Sequence, residues 1–256
     1  RLDPNTVPRE LKTLVDSFNH MIGRLEDSFV RLSHFSADIA HELRTPLNAI
    51  IGNSELIAHG VLGDLPDGYR ECGRDVYEAG KHLLELVNNV LDVSKLSAGS
   101  MTLQLEEADL GSVIRDAARL VGDDISRRSH QLQFDLPDQP VSMLCDKLKL
   151  KQILINILSN AAKFTPEHGK IRIGLTTTDE DVSFAIEDNG VGMSPNDIPR
   201  ALARFSQLHP SGVKESVGTG LGLPLAKLLV ELHGGRLSIE SDLGKGTTVR
   251  ITLPRP

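Results

Sequence analysis

The sequence predicts a multidomain protein of α and α+β class, with a long helical hairpin in front and a module of alternating strands and helices behind. Three observations carry this. Apolar residues recur at helical spacing over the first hundred positions, a cluster of glycines and a proline breaks that run once, and from about Met101 short alternating segments appear between helical ones. At 256 residues the chain exceeds one typical domain and can bury a core without metals or disulfides.

From Leu11 the apolar positions are Leu11, Leu14, Phe18, Met21, Leu25, Phe29, Leu32, Ile39 and Leu43, the spacing of a coiled-coil seam. Two successive four-residue steps, Met21 to Leu25 and Leu25 to Phe29, break the three-four rhythm. They read either as a stutter that locally unwinds a supercoil or as an imperfect heptad filled by Ser28 or Phe29. Gly60, Gly63, Asp64, Pro66 and Gly68 predict a turn. Tyr69, Cys72, Val76, Ala79, Leu83, Leu86, Val90, Val93 and Leu96 then predict a second helix that stops at 97–100. One hairpin with so wide an apolar stripe cannot cover itself, so two copies are expected to pair into a four-helix bundle. Packing against the chain's own second half is the alternative. Beyond Met101, LQFDL (Leu132 to Leu136), KIRIGL (Lys170 to Leu175) and VSFAIED (Val182 to Asp188) predict strands, and 147–163 predicts a helix. Met193 to Gly218 is loop-rich, and Gly244 to Thr247 fits a turn between two closing strands.

The net charge of -7 and 4% aromatic content offer neither the basic stripe nor the stacking surface of a nucleic-acid binder, so no nucleic acid is expected as partner. Cys72 and Cys145, the two cysteines, lie far apart without ligand-like spacing, which argues against a disulfide framework and for a reducing cytoplasm. No stretch approaches the roughly 20 apolar residues of a membrane span, and a soluble fragment is expected.

Candidate chemistry lies in three separated segments. In FSADIAHELRTPLNAI (Phe35 to Ile50), His41 points away from Ile39 and Leu43 at about 100° per residue, and so toward solvent. Alone it would be an ordinary surface histidine. A neutral imidazole is nevertheless a competent nucleophile near pH 7, and Glu42 is a candidate to orient it. Thr45 falls one turn on, and Pro46 deprives the Glu42 carbonyl of its helical donor, which is either a tolerated kink or a hinge beside the histidine. In QILINILSNAAKFTP (Gln152 to Pro166), Asn156 and Asn160 share a helix face with Lys163 on the adjoining turn. In EDNGVGM (Glu187 to Met193), Asp188 ends a strand before Gly190 and Gly192, which permit close backbone approach. GTGLGL (Gly218 to Leu223) precedes a helix whose N-terminal N–H groups can cradle phosphate oxygens.

Their order and spacing resemble the bacterial sensor histidine kinases of two-component systems, over nearly the whole chain. HELRTPL matches that family's phosphoacceptor box, NAAKFT its N box, and the second module resembles the GHKL ATPases, an α/β sandwich; no GxxxxGK[ST] of the P-loop type occurs. The resemblance implies that His41 accepts a phosphoryl group from ATP and passes it to the receiver domain of a response regulator, with Thr45 positioning water for a phosphatase activity. It implies that Asn160 gives a neutral oxygen to Mg2+ and that Asp188 accepts from the adenine amino group. Asn156, Lys163, Phe164, Gly190, Gly192, Phe205, Gly218, Thr219, Gly220, Leu221, Gly222 and Leu223 complete the nucleotide set. Leu202 stands where the family has its first lid aromatic and Ala203 where an acidic residue is usual, a departure in the lid. VPRELKTLVDSFNHMIGRL resembles the second helix of a HAMP module. The implied domains are 1–33 HAMP-like, 34–98 dimerising phosphotransfer hairpin and 99–256 catalytic. The implied setting is the cytoplasmic portion of an inner-membrane receptor, homodimeric and tied to the membrane only through a region upstream of this sequence. A GHKL ATPase that works by dimer closure, or a nucleotide-binding scaffold, would share the pocket without the phosphoprotein.

Overall fold

The computed structural model describes residues 43–61, 63, 66–204, 206 and 220–255. The chain separates between Met101 and Thr102 into two compact units. The expected coiled-coil seam before Leu43, its stutter and the HAMP-like segment lie outside the described residues.

In the first unit, helix α1 runs through 43–58 and α2 spans Asp67–Ser97. They are antiparallel: Arg44 Nη2 donates to Asn88 Oδ1 at 2.9 Å near one end, while Gly60 abuts Arg70 at the other. Glycines let the two backbones approach. A Cβ on Gly73 would stand 2.6 Å from Ile57 Cγ2 and 3.0 Å from the Ala58 nitrogen, and one on Gly80 would stand 2.8 Å from Ile51 Cγ1. Ser54 is buried, but its Oγ donates to the carbonyls of Ile50 and Ile51, so no hydroxyl is stranded. Two sequence expectations change. Gly68 belongs to the first turn of α2, not the connecting loop, because Pro66 with its fixed φ sits at the N-cap position and starts the helix there. The single apolar stripe expected along α2 divides: Gly73 and Gly80 face α1, while Tyr69, Val76, Leu83 and Val90 are exposed.

The second unit is a two-layer sandwich. Strands β1 (Glu106–Asp109) and β3 (Ser142–Cys145) form a small antiparallel sheet. The main sheet has order β2-β4-β5-β7-β6, from Gln131–Asp135, Lys170–Thr177, Asp181–Asp188, Gly246–Pro254 and Arg236–Asp242. Only β2 and β4 are parallel. Period-two alternation turns Ile171, Ile173, Leu175, Val182, Phe184, Ile186, Ile251 and Leu253 to one buried face. Helices α3 (Leu110–Leu120), α5 (Lys147–Phe164) and α7 (Gly222–Leu232) supply Ile114, Leu154, Leu158, Leu225 and Leu229 to the same core. Full burial of each such side chain contributes roughly 1.5–3 kcal/mol.

Two short helices complete the unit, α4 (Gly122–Arg127) and α6 (Ile198–Ala201). The latter, with the 3₁₀ turn Pro195–Asp197, puts helical structure where the sequence suggested loop. Pro195 and Pro199 stand at first-turn positions, where a missing N–H costs nothing.

Candidate nucleotide site

Helix α5 is placed by its N-cap. The Asp146 side chain accepts from the N–H of Lys149 at 3.0 Å and also from that of Gln104, which ties the helix start to the strand region before it. From there α5 buries Leu150, Ile153, Leu154, Ile157 and Leu158 and leaves Asn156 and Asn160 half-buried on one face, as the i, i+4 spacing requires.

Two glycine elements close on that face. Gly222, the first residue of α7, packs on it so closely that a Cβ there would lie 3.8 Å from Asn160 Nδ2 and 3.9 Å from Asn156 Cγ. The α7 N-cap, Leu221, gives no side-chain hydrogen bond, so the opening N–H groups of this 11-residue helix are not capped by a side chain there. At the far end of α5, Val191 N–H donates to the Phe164 carbonyl at 3.2 Å, and Gly190 leaves no room for a Cβ, which would come 2.6 Å from that oxygen. The same helix is thus gripped at its middle by the last glycine of one motif and at its end by the turn that carries Asp188. Asn156, Asn160 and Gly222 meet on one face of α5, Phe164, Asp188 and Gly190 meet at its end, and the Lys163 ammonium lies 5.1 Å from the Phe164 ring centroid.

The electrostatics follow from burial. Desolvation raises the Asp188 carboxyl above the usual carboxylate value, against the lowering effect of the N–H groups of Gly190, whose bond to Oδ1 is 2.8 Å, and Thr247. Desolvation lowers Lys163, and the charge of Arg128 lowers it further. Asn156 Nδ2 is buried with no hydrogen-bond partner among the described residues. A buried donor of this kind costs free energy unless a ligand meets it, so the site fits an acceptor-rich group such as a nucleotide phosphate. Among the described residues no cluster of three or more His, Cys, Asp or Glu side chains is arranged to hold a metal.

Several sequence-derived site residues stand differently. Leu221 is fully buried, so its side chain belongs to the core and only its backbone can meet a ligand. Gly192, at φ 61°, approaches the Asp242 carbonyl and the 246 end of the β6–β7 hairpin, and the room made by Gly190 is taken by Phe164; both closeness requirements come from the protein itself rather than from a ligand. Gly220 and Leu223 flank Gly222 at the start of α7. Thr45 is exposed on α1 in the other unit. His41, Glu42, Phe205, Gly218 and Thr219 lie outside the described residues. Sequence reasoning missed the corner formed by Arg128, Ser129 and His130 against the end of α5. A polar triplet before a strand looks like any loop, and no local pattern marked it.

An α/β sandwich with asparagines, a half-buried carboxylate and a glycine-led helix set along one helix, α5, defines a nucleotide-binding module behind a helical hairpin. The comparisons agree. Residues 145–256 match the family described as histidine kinase-, DNA gyrase B- and HSP90-like ATPase, and 31–99 match the His Kinase A (phospho-acceptor) domain. Histidine protein kinase DivJ of Caulobacter vibrioides is 40% identical over 222 residues, covering 87% of this chain and 37% of its own length. The cell-division control histidine kinase PdhS of Brucella suis is 38% identical over 236 residues, covering 87% of this chain and 22% of its own. Full-length ShkA in complex with AMPPNP superposes with TM-score 0.72 at 30% identity, over 86% of this chain and 45% of that one. A mycobacterial sensor histidine kinase, MprB, superposes at 0.51 with 29% identity, over 60% of this chain and 99% of that one. The chain belongs to the bacterial two-component sensor histidine kinases, and spans well under half the length of the curated relatives it matches.

Proposed function

We propose that this chain is the ATP-dependent kinase part of a sensor protein, one that phosphorylates His41 and passes the phosphoryl group to an aspartate of a response-regulator receiver domain. The observation that carries the reading is the contact of the Gly222 helix start with the Asn156 and Asn160 face of α5, with the Asp188 turn set against the end of that helix, and an Asn156 amide nitrogen that is buried with no hydrogen-bond partner among the described residues. Adenine would rest against Asp188, whose carboxylate accepts from its exocyclic amino group; guanine presents a carbonyl there and is rejected. Phosphates would lie toward Gly218 to Gly222 and the α7 N-terminus, with Lys163 countering their charge. Asn160 would hold Mg2+, which when bound would supply positive charge to offset that of the phosphates.

In the transfer itself, an imidazole nitrogen of His41 forms a P–N bond to the γ-phosphorus as the bond to the ADP oxygen breaks. Glu42 orients the ring, and Thr45, one turn on, positions the water that hydrolyses the regulator's phosphoaspartate, releasing inorganic phosphate, in a separate phosphatase reaction. Residues 1–33 form a HAMP-like input, 34–98 the dimerising hairpin and 99–256 the catalytic domain. The exposed apolar rows on α1 and α2 support the homodimer. Among the described residues no helix is long and apolar enough to cross a membrane; in this reading the kinase portion lies on the cytoplasmic side of the membrane that the whole sensor is anchored in.

Incubation with γ-labelled ATP tests this. Acid-labile label on the wild-type chain, lost in His41→Ala while nucleotide binding persists, is the expected result. Free phosphate without phosphoprotein would instead place the chain with the ATPases of the same fold.

A further inference from the structure

Resting on the nucleotide reading of α5, we propose that His130 is a positioning residue that holds the end of that helix in its nucleotide-binding place. The carbonyls after the last turn of α5 have no helical donors, because Pro166 lacks an N–H and Thr165 is already extended at φ -82°, ψ 131°. Each finds a partner elsewhere. Arg128 Nη1 donates to the Lys163 oxygen at 2.9 Å, Val191 N–H to that of Phe164, and His130 Nε2 lies 3.2 Å from the Thr165 oxygen and 3.1 Å from that of Pro166. Both neighbours of Nε2 are acceptors only, so this nitrogen carries the proton and shares it between them.

The corner that presents His130 is held on both sides. Ser129 takes a left-handed φ of 54°, Gln131 N–H donates to the Gly169 carbonyl at 2.8 Å, and His168 N–H donates to that of Arg128 at 3.0 Å. A packing role alone would be better met by an aliphatic side chain. His130 is 8% exposed, and among the described residues neither its buried Nδ1 nor the buried Thr165 Oγ1 beside the same exit has a hydrogen-bond partner. That cost is offset at the two carbonyls, which fix where α5 stops and hence where Lys163 and Phe164 face. Since the Phe164 oxygen is held by the Asp188 turn, the corner and the adenine-side wall are both aligned on one helix end.

A length-matched pair of substitutions tests this in the full chain. His130→Gln keeps an N–H at the reach of Nε2, and His130→Met has the same length without a donor. Titration with AMPPNP and Mg2+ should show binding roughly tenfold weaker in His130→Met, the loss of one to two net hydrogen bonds, and near wild-type binding in His130→Gln. Amide exchange at 161–165, measured without nucleotide, should speed up only in His130→Met. Equal behaviour of the two variants, joint failure to fold included, overturns the proposal. So does a drop in thermal midpoint for His130→Met with affinity unchanged, which is what a purely structural histidine would give. Failure of the wild type itself to bind AMPPNP would count against the nucleotide reading instead.

Discussion

In the proposed reading, Asp188 serves recognition and stability in opposite senses. Burial raises its carboxyl above the ordinary 3.8. Stability from such a group is fully present below that ordinary value and is lost as pH rises through the raised folded value, so at neutral pH the unligated protein holds an ionised carboxylate at a cost. Asp188→Asn should therefore raise the thermal midpoint of the unligated chain at pH 7, with the gain shrinking in acid, and should weaken ATP binding because the amide can present a donor to the adenine amino group. Thermal unfolding and a nucleotide titration, run on the same variant, read the two effects. A lowered midpoint with unchanged affinity would remove both roles at once. This carboxylate was legible in sequence because it ends a period-two run before glycines, and the Asn pair because i, i+4 spacing fixes a shared face. His130 was not, since its partners at Thr165 and Pro166 are 35 and 36 residues away and are main-chain oxygens with no sequence signature.

The starts of α3 and α5 rest on aspartates. Asp109 accepts from the N–H of Gly111 and Ser112 and from the Ser112 hydroxyl at 2.6 Å, so α3 begins with its donors met. The Ser112 hydroxyl is the largest cause that holds this carboxyl below its ordinary 3.8, with smaller help from Arg115. For a lowered carboxyl, stability is present above the unfolded value and is lost as pH falls through the folded one. Asp109→Ala should cost about 1 kcal/mol in urea unfolding at pH 7, and the difference from wild type should start to shrink as pH falls past the ordinary 3.8 and fade as it passes through the lowered folded value; a difference that stays constant through that fall would assign the loss to packing. Elements of this kind were legible because cap, period and turn are all local. Strand β2 runs Gln131–Asp135, one residue ahead of the LQFDL run, because its register is set by parallel pairing to β4. The divided stripe of α2 was hidden for a related reason. Glycine adds nothing to an apolar count, so Gly73 and Gly80, which face α1, went uncounted, while the exposed Tyr69, Val76, Leu83 and Val90 were placed in one stripe with the buried Val93.

That division bears on the whole molecule. Along α2 the outward residues Tyr69, Val76, Leu83 and Val90 recur every seven positions and are 65%, 47%, 47% and 37% exposed. Leu43 and Ile50 of α1, also seven apart, are 43% and 48% exposed. Rows at a seven-residue period suit a helical partner whose own row repeats at the same period, and a two-fold axis provides that by pairing the surface with itself. Each such side chain, once covered, contributes roughly 1.5–3 kcal/mol, and symmetry counts it twice. A charge at the middle of the row removes that gain and adds a buried carboxylate on each side. Val76→Glu combined with Leu83→Glu should shift the chain from dimer to monomer in analytical ultracentrifugation, while the glycine face that holds α1 is untouched and far-UV helicity falls little. ATP binding by the second unit should be unchanged, since α5, the Asp188 turn and α7 owe nothing to this surface. A doubly substituted chain that still sediments as a dimer would move the association elsewhere on the molecule; one that loses its helicity would show that the outward row supports the hairpin itself.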